Sequence, residues 1–171
     1  KGVKFVLNCR VGEDIPIEKI RAENDALFIG VGVHKGRVLG VEGENLTDVI
    51  QGIDFLRQAG SADNKPKVRK KVVVIGGGNV AVDVARTALR LGAEHVEMVA
   101  LEQRNEMPAY SEEIEATLVE GIKIRNGWGP RRILGDGSAA GIELKRCTQV
   151  FDEAGHFNPV YDENDLTSID A

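Results

Sequence analysis

The residues best equipped for chemistry in this chain are three consecutive glycines and an acid further along. Gly76, Gly77 and Gly78 lead into Asn79, Val80 and Ala81, giving the pattern Gly76-x-Gly78-x-x-Ala81. Gly76 permits a tight turn, Gly78 lacks the Cβ that would hold a diphosphate off the backbone, and Ala81 lets a helix pack closely on a preceding strand. A helix starting near Asn79 would present free N–H groups and its positive dipole end to an anion. Glu102 stands about where such a unit places the acid that accepts hydrogen bonds from ribose hydroxyls, an acid that also repels a 2′-phosphate. Arg104, two residues on, is a cation that could reach that phosphate, and pairing with it is the plainer reading of Glu102. On the expected helix, Asn79, Asp83, Arg86 and Arg90 recur on one polar face, where Asp83 and Arg86 are spaced to form an exposed ion pair.

These residues have the elements they require. Val72, Val73, Val74 and Ile75 are β-branched and predict a parallel strand buried on both faces. From Asn79 the period becomes helical, with small residues at Ala81, Ala85 and Ala88 and larger ones at Val80, Val84 and Leu91. Gly92 is placed to end the helix. Val96, Met98, Val99 and Leu101 then predict a second strand closing on Glu102. The sequence of strand, glycine turn, helix, strand and acid distinguishes this pattern from a plain glycine turn.

Formal net charge is −5 over 171 residues, which argues against a general polyanion-binding role and makes any phosphate site local. The basic stretch Lys65, Lys67, Arg69, Lys70 and Lys71 lacks interleaved aromatics and reads as a solvated connector. Neither a membrane-spanning run nor a leading signal segment is evident, so the expected location is cytoplasmic, with no membrane or nucleic-acid partner. Cys9 and Cys147 are far apart and form no Cys-x-x-Cys pair; each reads as a free thiol. No metal site is expected. Tyr110 is followed four residues later by Ile114, not Lys, so the acid–base pair of a stand-alone short-chain dehydrogenase is missing.

Along the rest of the chain, Val3 to Leu7 and Ala26 to Gly30 predict short strands, and residues after Pro16 a short helix. Gly30-x-Gly32 imitates a second dinucleotide pattern, but Gly36, Gly40 and Gly43 follow instead of a helical period. Leu46 to Ala59 predicts an amphipathic helix with Asn45 or Thr47 near its start, and residues 61–70 a linker. Ser111 can cap a helix running to Glu120, ended by Gly121, and Ile122 to Ile124 predicts a third parallel strand. Stretches at Arg132 to Leu134, Ile142 to Leu144 and Phe157 to Tyr161 predict an antiparallel meander crossing the parallel sheet. Trp128 reads as a packing residue more readily than as an adenine platform. The fold class is α/β, a Rossmann-like parallel sheet with flanking helices and an antiparallel β-meander crossover.

Gly76 to Glu102, the RNEMPA stretch from Arg104 to Ala109, and the upstream segment DALFIGVGVHKGRVLGVEGENL together resemble the NAD(P)H-binding domain of the glutamate synthase small-subunit (beta subunit) family of FAD-dependent pyridine nucleotide oxidoreductases. The likeness covers nearly the whole chain. It implies a larger parent enzyme in which an FAD domain is interrupted by the nicotinamide domain and hydride passes from NAD(P)H to FAD. Iron–sulfur or synthase partners are implied as well. Residues 1–60 would then be a strand and helix at the edge of the FAD domain, and 71–171 the nucleotide domain. Asp25 to Gly32 would be the strand returning from the flavin domain, and Asp165 to Ala171 the approach to a further one. By the same resemblance Asp83 lies near the nicotinamide. Where NADPH-using relatives resemble Tyr-Arg-Arg, this chain has Ala100, Leu101 and Glu102, which favours NAD(H) over NADP(H). The expectation is a fragment that binds the dinucleotide through Gly76, Gly77, Gly78, Asn79, Val80, Ala81, Asp83, Glu102 and Arg104, binds no FAD itself and catalyses nothing alone. A nucleotide-sensing module without redox chemistry is the alternative.

Overall fold

The computed structural model describes residues 2–32, 34–61 and 65–171. They fall into two compact units, Lys1–His34 and Lys35–Ala171.

In the first unit, helix α1 (Ile17–Ala22) follows Pro16, whose fixed φ suits the start of a helix. The strands expected at Val3 to Leu7 and Ala26 to Gly30 do not form. Their apolar residues lie exposed, Phe5 at 81% and Phe28 at 93%. A strand closes its backbone hydrogen bonds only against a neighbour, and among the described residues nothing pairs with either segment. Val33, within the glycine-bearing loop, lies outside the described residues.

The second unit begins with an irregular stretch and helix α2 (Gly52–Ala59), shorter at its start than the helix expected from Leu46. Thr47 caps nothing there: its hydroxyl donates to the Gly137 carbonyl at 2.9 Å, drawing the preceding turn toward the meander. The expected linker includes Ala62, Asp63 and Asn64, outside the described residues. Its basic end is anchored, with Arg69 paired to Asp48 at 3.2 Å and Lys70 to Glu94 at 2.8 Å.

The strand, helix, strand unit follows as β1 (Lys71–Ile75), α3 (Asn79–Arg90) and β2 (His95–Ala100). The 3-10 turn Arg104–Glu106, helix α4 (Ser111–Val119) and β3 (Lys123–Asn126) complete a parallel sheet of order β1-β2-β3. Val74 pairs with Met98, and Met98 with Ile124. In β1 only Val74 is buried; Val72, Val73 and Ile75 are half-covered, not enclosed on both faces. The reason is position, since β1 is an edge strand of this sheet. Ser111 is the first residue of α4 and not its cap, a place taken by Tyr110.

The meander is longer than its apolar stretches suggested: β4 (Trp128–Asp136), β5 (Ser138–Phe151) and β6 (Phe157–Asp170) form one antiparallel sheet. Asp165 to Asp170 belongs to β6, paired with β5 through Leu166 and Lys145. Two apolar layers result. Val82, Ala85 and Ala88 of α3, with no exposed surface, pack with Met98 and Ile114 on one side of the parallel sheet. On the other, Val99 joins Trp128, Ile142 and Leu144 of the meander. The alternating pattern of β2 divides between these layers, as the two-residue side-chain period of a strand requires.

Candidate functional site

The turn leaving β1 has the geometry its glycines allow. Gly76 adopts φ +139°, open to glycine and strained for other residues, and its N–H donates to the Val99 carbonyl at 2.8 Å. A Cβ on Gly76 would lie 3.2 Å from the Ala81 methyl, so a larger residue at either position would push helix from strand. Gly78 caps α3 without a side-chain hydrogen bond. The first turn of α3 thus keeps its amide end clear of the protein's own capping groups, the condition for receiving an anion.

Asn79 does not cap the helix. Its Oδ1 accepts from the Tyr110 N–H at 2.9 Å, while the Ala109 N–H donates to the Gly77 carbonyl at 3.2 Å. These two bonds fasten the loop Met107-Pro108-Ala109 beside the glycine turn, with Met107 and Ala109 buried. Val80 is 47% exposed at the mouth of the turn. Asp83, on the next turn of α3, is exposed. It does not pair with Arg86, whose guanidinium bonds across to α4 and its C-cap instead, with Glu113 at 2.5 Å and Glu120 at 2.8 Å. The hydrogen bonds from Arg86 hold the Glu120 carboxyl below the usual carboxylate range, against the opposing effect of desolvation.

Glu102 is buried, at 9% exposure, rather than a solvated loop acid. Its Oε2 lies 2.6 Å from where a Cβ on Gly77 would stand, placing the carboxylate directly against the glycine turn. The alternative pairing with Arg104 is absent, because Arg104 turns to Glu115 at 2.8 Å. Among the described residues no cation forms an ion pair with Glu102. Its backbone is fixed by the end of β3: the Asn126 amide donates to its carbonyl at 2.9 Å and the Gly127 N–H at 3.3 Å. The structure therefore brings Gly76, Gly77, Gly78, Asn79, Val80, Ala81 and Glu102 together, while the Asp83 side chain stands outside on α3 and Arg104 is drawn toward α4.

Gln103, Tyr110, Asn126 and Arg146 also frame this end of the sheet, and sequence reasoning missed them. Arg146 comes from the middle of β5, with no local motif to mark it. Cys147, next to it, is buried, and burial pushes its thiol above the ordinary range. It is a packing thiol, not a nucleophilic one. No cluster of metal-ligating side chains occurs among the described residues, and no helix among them is long and apolar enough to cross a membrane.

Beside β1, on the edge away from β2, runs an open groove of about 520 Å³. It is lined by Val73 and Ile75, by Ile53 at the start of α2 and by Ile142 of the meander, and it reaches Gly78 and Val80 at the glycine turn.

Residues 2–155 match the family described as pyridine nucleotide-disulphide oxidoreductase. The chain is 38% identical over 150 residues to the NADPH-Fe(3+) oxidoreductase subunit beta of Geobacter sulfurreducens, covering 85% of this chain and 22% of that protein. It is 31% identical over 157 residues to the glutamate synthase [NADPH] small chain of Escherichia coli (strain K12), covering 85% of this chain and 33% of that one. The chain thus spans a fifth to a third of the length of these relatives. In fold it is similar to Mycobacterium tuberculosis FprA in complex with NADPH, with a TM-score of 0.72 at 20% identity, over 95% of this chain and 51% of that one. An uncapped glycine turn, a buried acid behind it and a meander closing the sheet accord with that match: the chain belongs to the pyridine nucleotide-disulphide oxidoreductase family.

Proposed function

We propose that this chain is the nicotinamide-dinucleotide module of an FAD-dependent oxidoreductase and that it holds NADH in preference to NADPH. The observation that carries the reading is the Glu102 carboxylate, buried against Gly77 with no ion-paired cation among the described residues, behind the uncapped start of α3. The diphosphate is assigned to the amides at Gly77, Gly78, Asn79 and Val80, with Ala81 allowing the close approach of α3. Glu102 accepts from the adenosine ribose hydroxyls; a 2′-phosphate there would face an unneutralised carboxylate at close range. Both relatives described above are named for NADPH, so the preference for NADH rests on this acid and on the turn of Arg104 toward Glu115.

The nicotinamide half then runs past Gly78 and Val80 into the groove beside β1, on the opposite side from the adenosine, as at the crevice of an open α/β sheet. Asp83, exposed on the next turn, is assigned to positioning the ring. When bound, the dinucleotide supplies a hydride, two electrons and a proton nucleus, for which a flavin is the acceptor. Val80 and the apolar groove wall keep water from the ring during that transfer, and the loop fastened by Asn79 and Gly77 holds the diphosphate end still. No helix follows Gly30-x-Gly32 directly among the described residues, and no flavin is assigned to it.

In this reading 71–171 forms the nucleotide domain, 61–70 a connection and 1–60 the edge of an interrupted FAD domain in a larger cytoplasmic parent. The names of the relatives, a subunit beta and a small chain, support a further iron–sulfur or synthase partner. Calorimetric titration with NADH and NADPH separately tests the proposal. Tighter binding of NADH is expected. Binding of neither nucleotide would overturn the assignment of the site, and tighter binding of NADPH the assignment of Glu102.

A further inference from the structure

Beyond Glu102 the C-terminal ends of β2 and β3 lie side by side, with Ala100 paired to Asn126. Gly127 follows at once in a left-handed conformation, φ +73°. Two planar polar groups crowd over it. The Gln103 Nε2 lies 2.7 Å, and the Arg146 Nη1 3.5 Å, from where a Cβ on Gly127 would stand. No larger residue could occupy Gly127 without displacing them.

The shelf is held from behind. The Arg146 guanidinium stacks on the Trp128 indole, 3.9 Å from the ring centroid, and its Nε donates to Asp165 at 3.0 Å. The Gln103 main chain is tied to the 3-10 turn, its carbonyl accepting from the Glu106 N–H at 2.9 Å and its N–H donating to the Glu106 carboxylate at 3.2 Å, which leaves the side-chain amide N–H groups available as donors. Arg146 keeps 39% of its side chain exposed. Because Asp165 already neutralises the guanidinium, the shelf offers a flat stacking face and an amide donor rather than a free positive charge.

We propose that Gln103 and Arg146 form the wall that receives the adenine ring, Arg146 by stacking and Gln103 by hydrogen bonding. The inference rests on the reading of this site as a nicotinamide-dinucleotide site and extends it. A dinucleotide with its diphosphate after β1 and its ribose at Glu102 after β2 carries its purine next to the end of β3. That is where these two side chains stand. A guanidinium already held flat against an indole loses little freedom when a purine covers its other face.

The test is calorimetric titration of the chain and of its Arg146→Lys and Gln103→Ala variants with NADH and with inorganic pyrophosphate, which fills only the glycine turn. Arg146→Lys keeps the charge and loses the planar group; Gln103→Ala leaves Trp128 untouched. Each variant is expected to weaken NADH roughly two- to tenfold while leaving pyrophosphate unchanged. In ¹⁵N–¹H spectra, on addition of NADH, the Arg146 Nε–H proton resonance should move upfield, lying over the purine face, and the Gln103 amide proton resonances downfield, hydrogen-bonded in the purine plane. Unchanged NADH affinity in both variants, or an equal loss for pyrophosphate, would overturn the proposal. Failure of the unaltered chain to bind NADH would instead overturn the site reading on which it rests.

Discussion

Glu102→Gln isolates the charge that the cofactor preference depends on. The two side chains share a shape, so the amide fits the space against Gly77 that the carboxylate fills at 2.6 Å from the built Cβ position. Glu102→Arg should shift preference the same way, but the longer side chain must leave that space and would confound charge with displacement. A hydrogen bond to an ionised acceptor contributes about 1.5–3 kcal/mol, a neutral one about 0.5–1.5 kcal/mol. The change therefore removes about 1.5 kcal/mol from NADH binding, about tenfold in affinity. For NADPH, a unit charge about 5 Å from a carboxylate meets about 3 kcal/mol of repulsion at an effective dielectric of about 20. With half of that screened by solvent, its removal tightens NADPH by about tenfold. The NADH to NADPH preference should thus move by about a hundredfold, read by calorimetry or by nucleotide fluorescence. Because a buried carboxylate without a cation is costly, the variant should melt no lower than the parent chain. A preference ratio unchanged within about threefold, in a variant that melts normally, would refute the role of Glu102.

Two further outcomes follow from neighbouring contacts. A Cβ at Gly77 would meet Glu102 Oε2 at 2.6 Å and the Ala100 methyl at 3.2 Å, so Gly77→Ala should dislodge the carboxylate and weaken NADH about tenfold. NADPH should change less, and equal losses for both nucleotides would count against the contact. Arg86 lowers the Glu120 carboxyl; a folded-state value below the unfolded one gives stability that is complete above the ordinary carboxylate range and lost as pH falls through the folded value. Urea unfolding of Arg86→Met should therefore show a deficit at pH 7 that narrows toward pH 3, and a deficit independent of pH would show that the pair with Glu120 contributes nothing.

The local pattern was sufficient for the strand, turn and helix around Gly76, because each of its requirements is met within a few residues: β-branched residues for the strand, glycines for the turn, alanines for the tight helix face. The parallel strands and the presence of the meander were legible for the same reason. Pairing was not. Val3 to Leu7 and Ala26 to Gly30 have strand-like sequences but form no strand, since a strand is completed by hydrogen bonds to a partner that sequence pattern does not supply. The Leu46 end of the expected helix was lost to a contact with Gly137, distant in sequence.

At the site, the sequence by itself determined which residues could hold a diphosphate and that an acid stands at the end of β2. Tertiary structure decided the partners. Arg86 faces Glu113 and Glu120 instead of Asp83, and Arg104 faces Glu115 instead of Glu102, because helix α4 and the Glu120 that caps it bring three acids across a gap that no spacing rule along one segment encodes. Glu102 is left buried and, among the described residues, without an ion pair, and Arg146 reaches the same end of the sheet from β5. Glycine turns and helix periods are properties of consecutive residues, whereas the charge balance of a site is set by whichever elements fold against it.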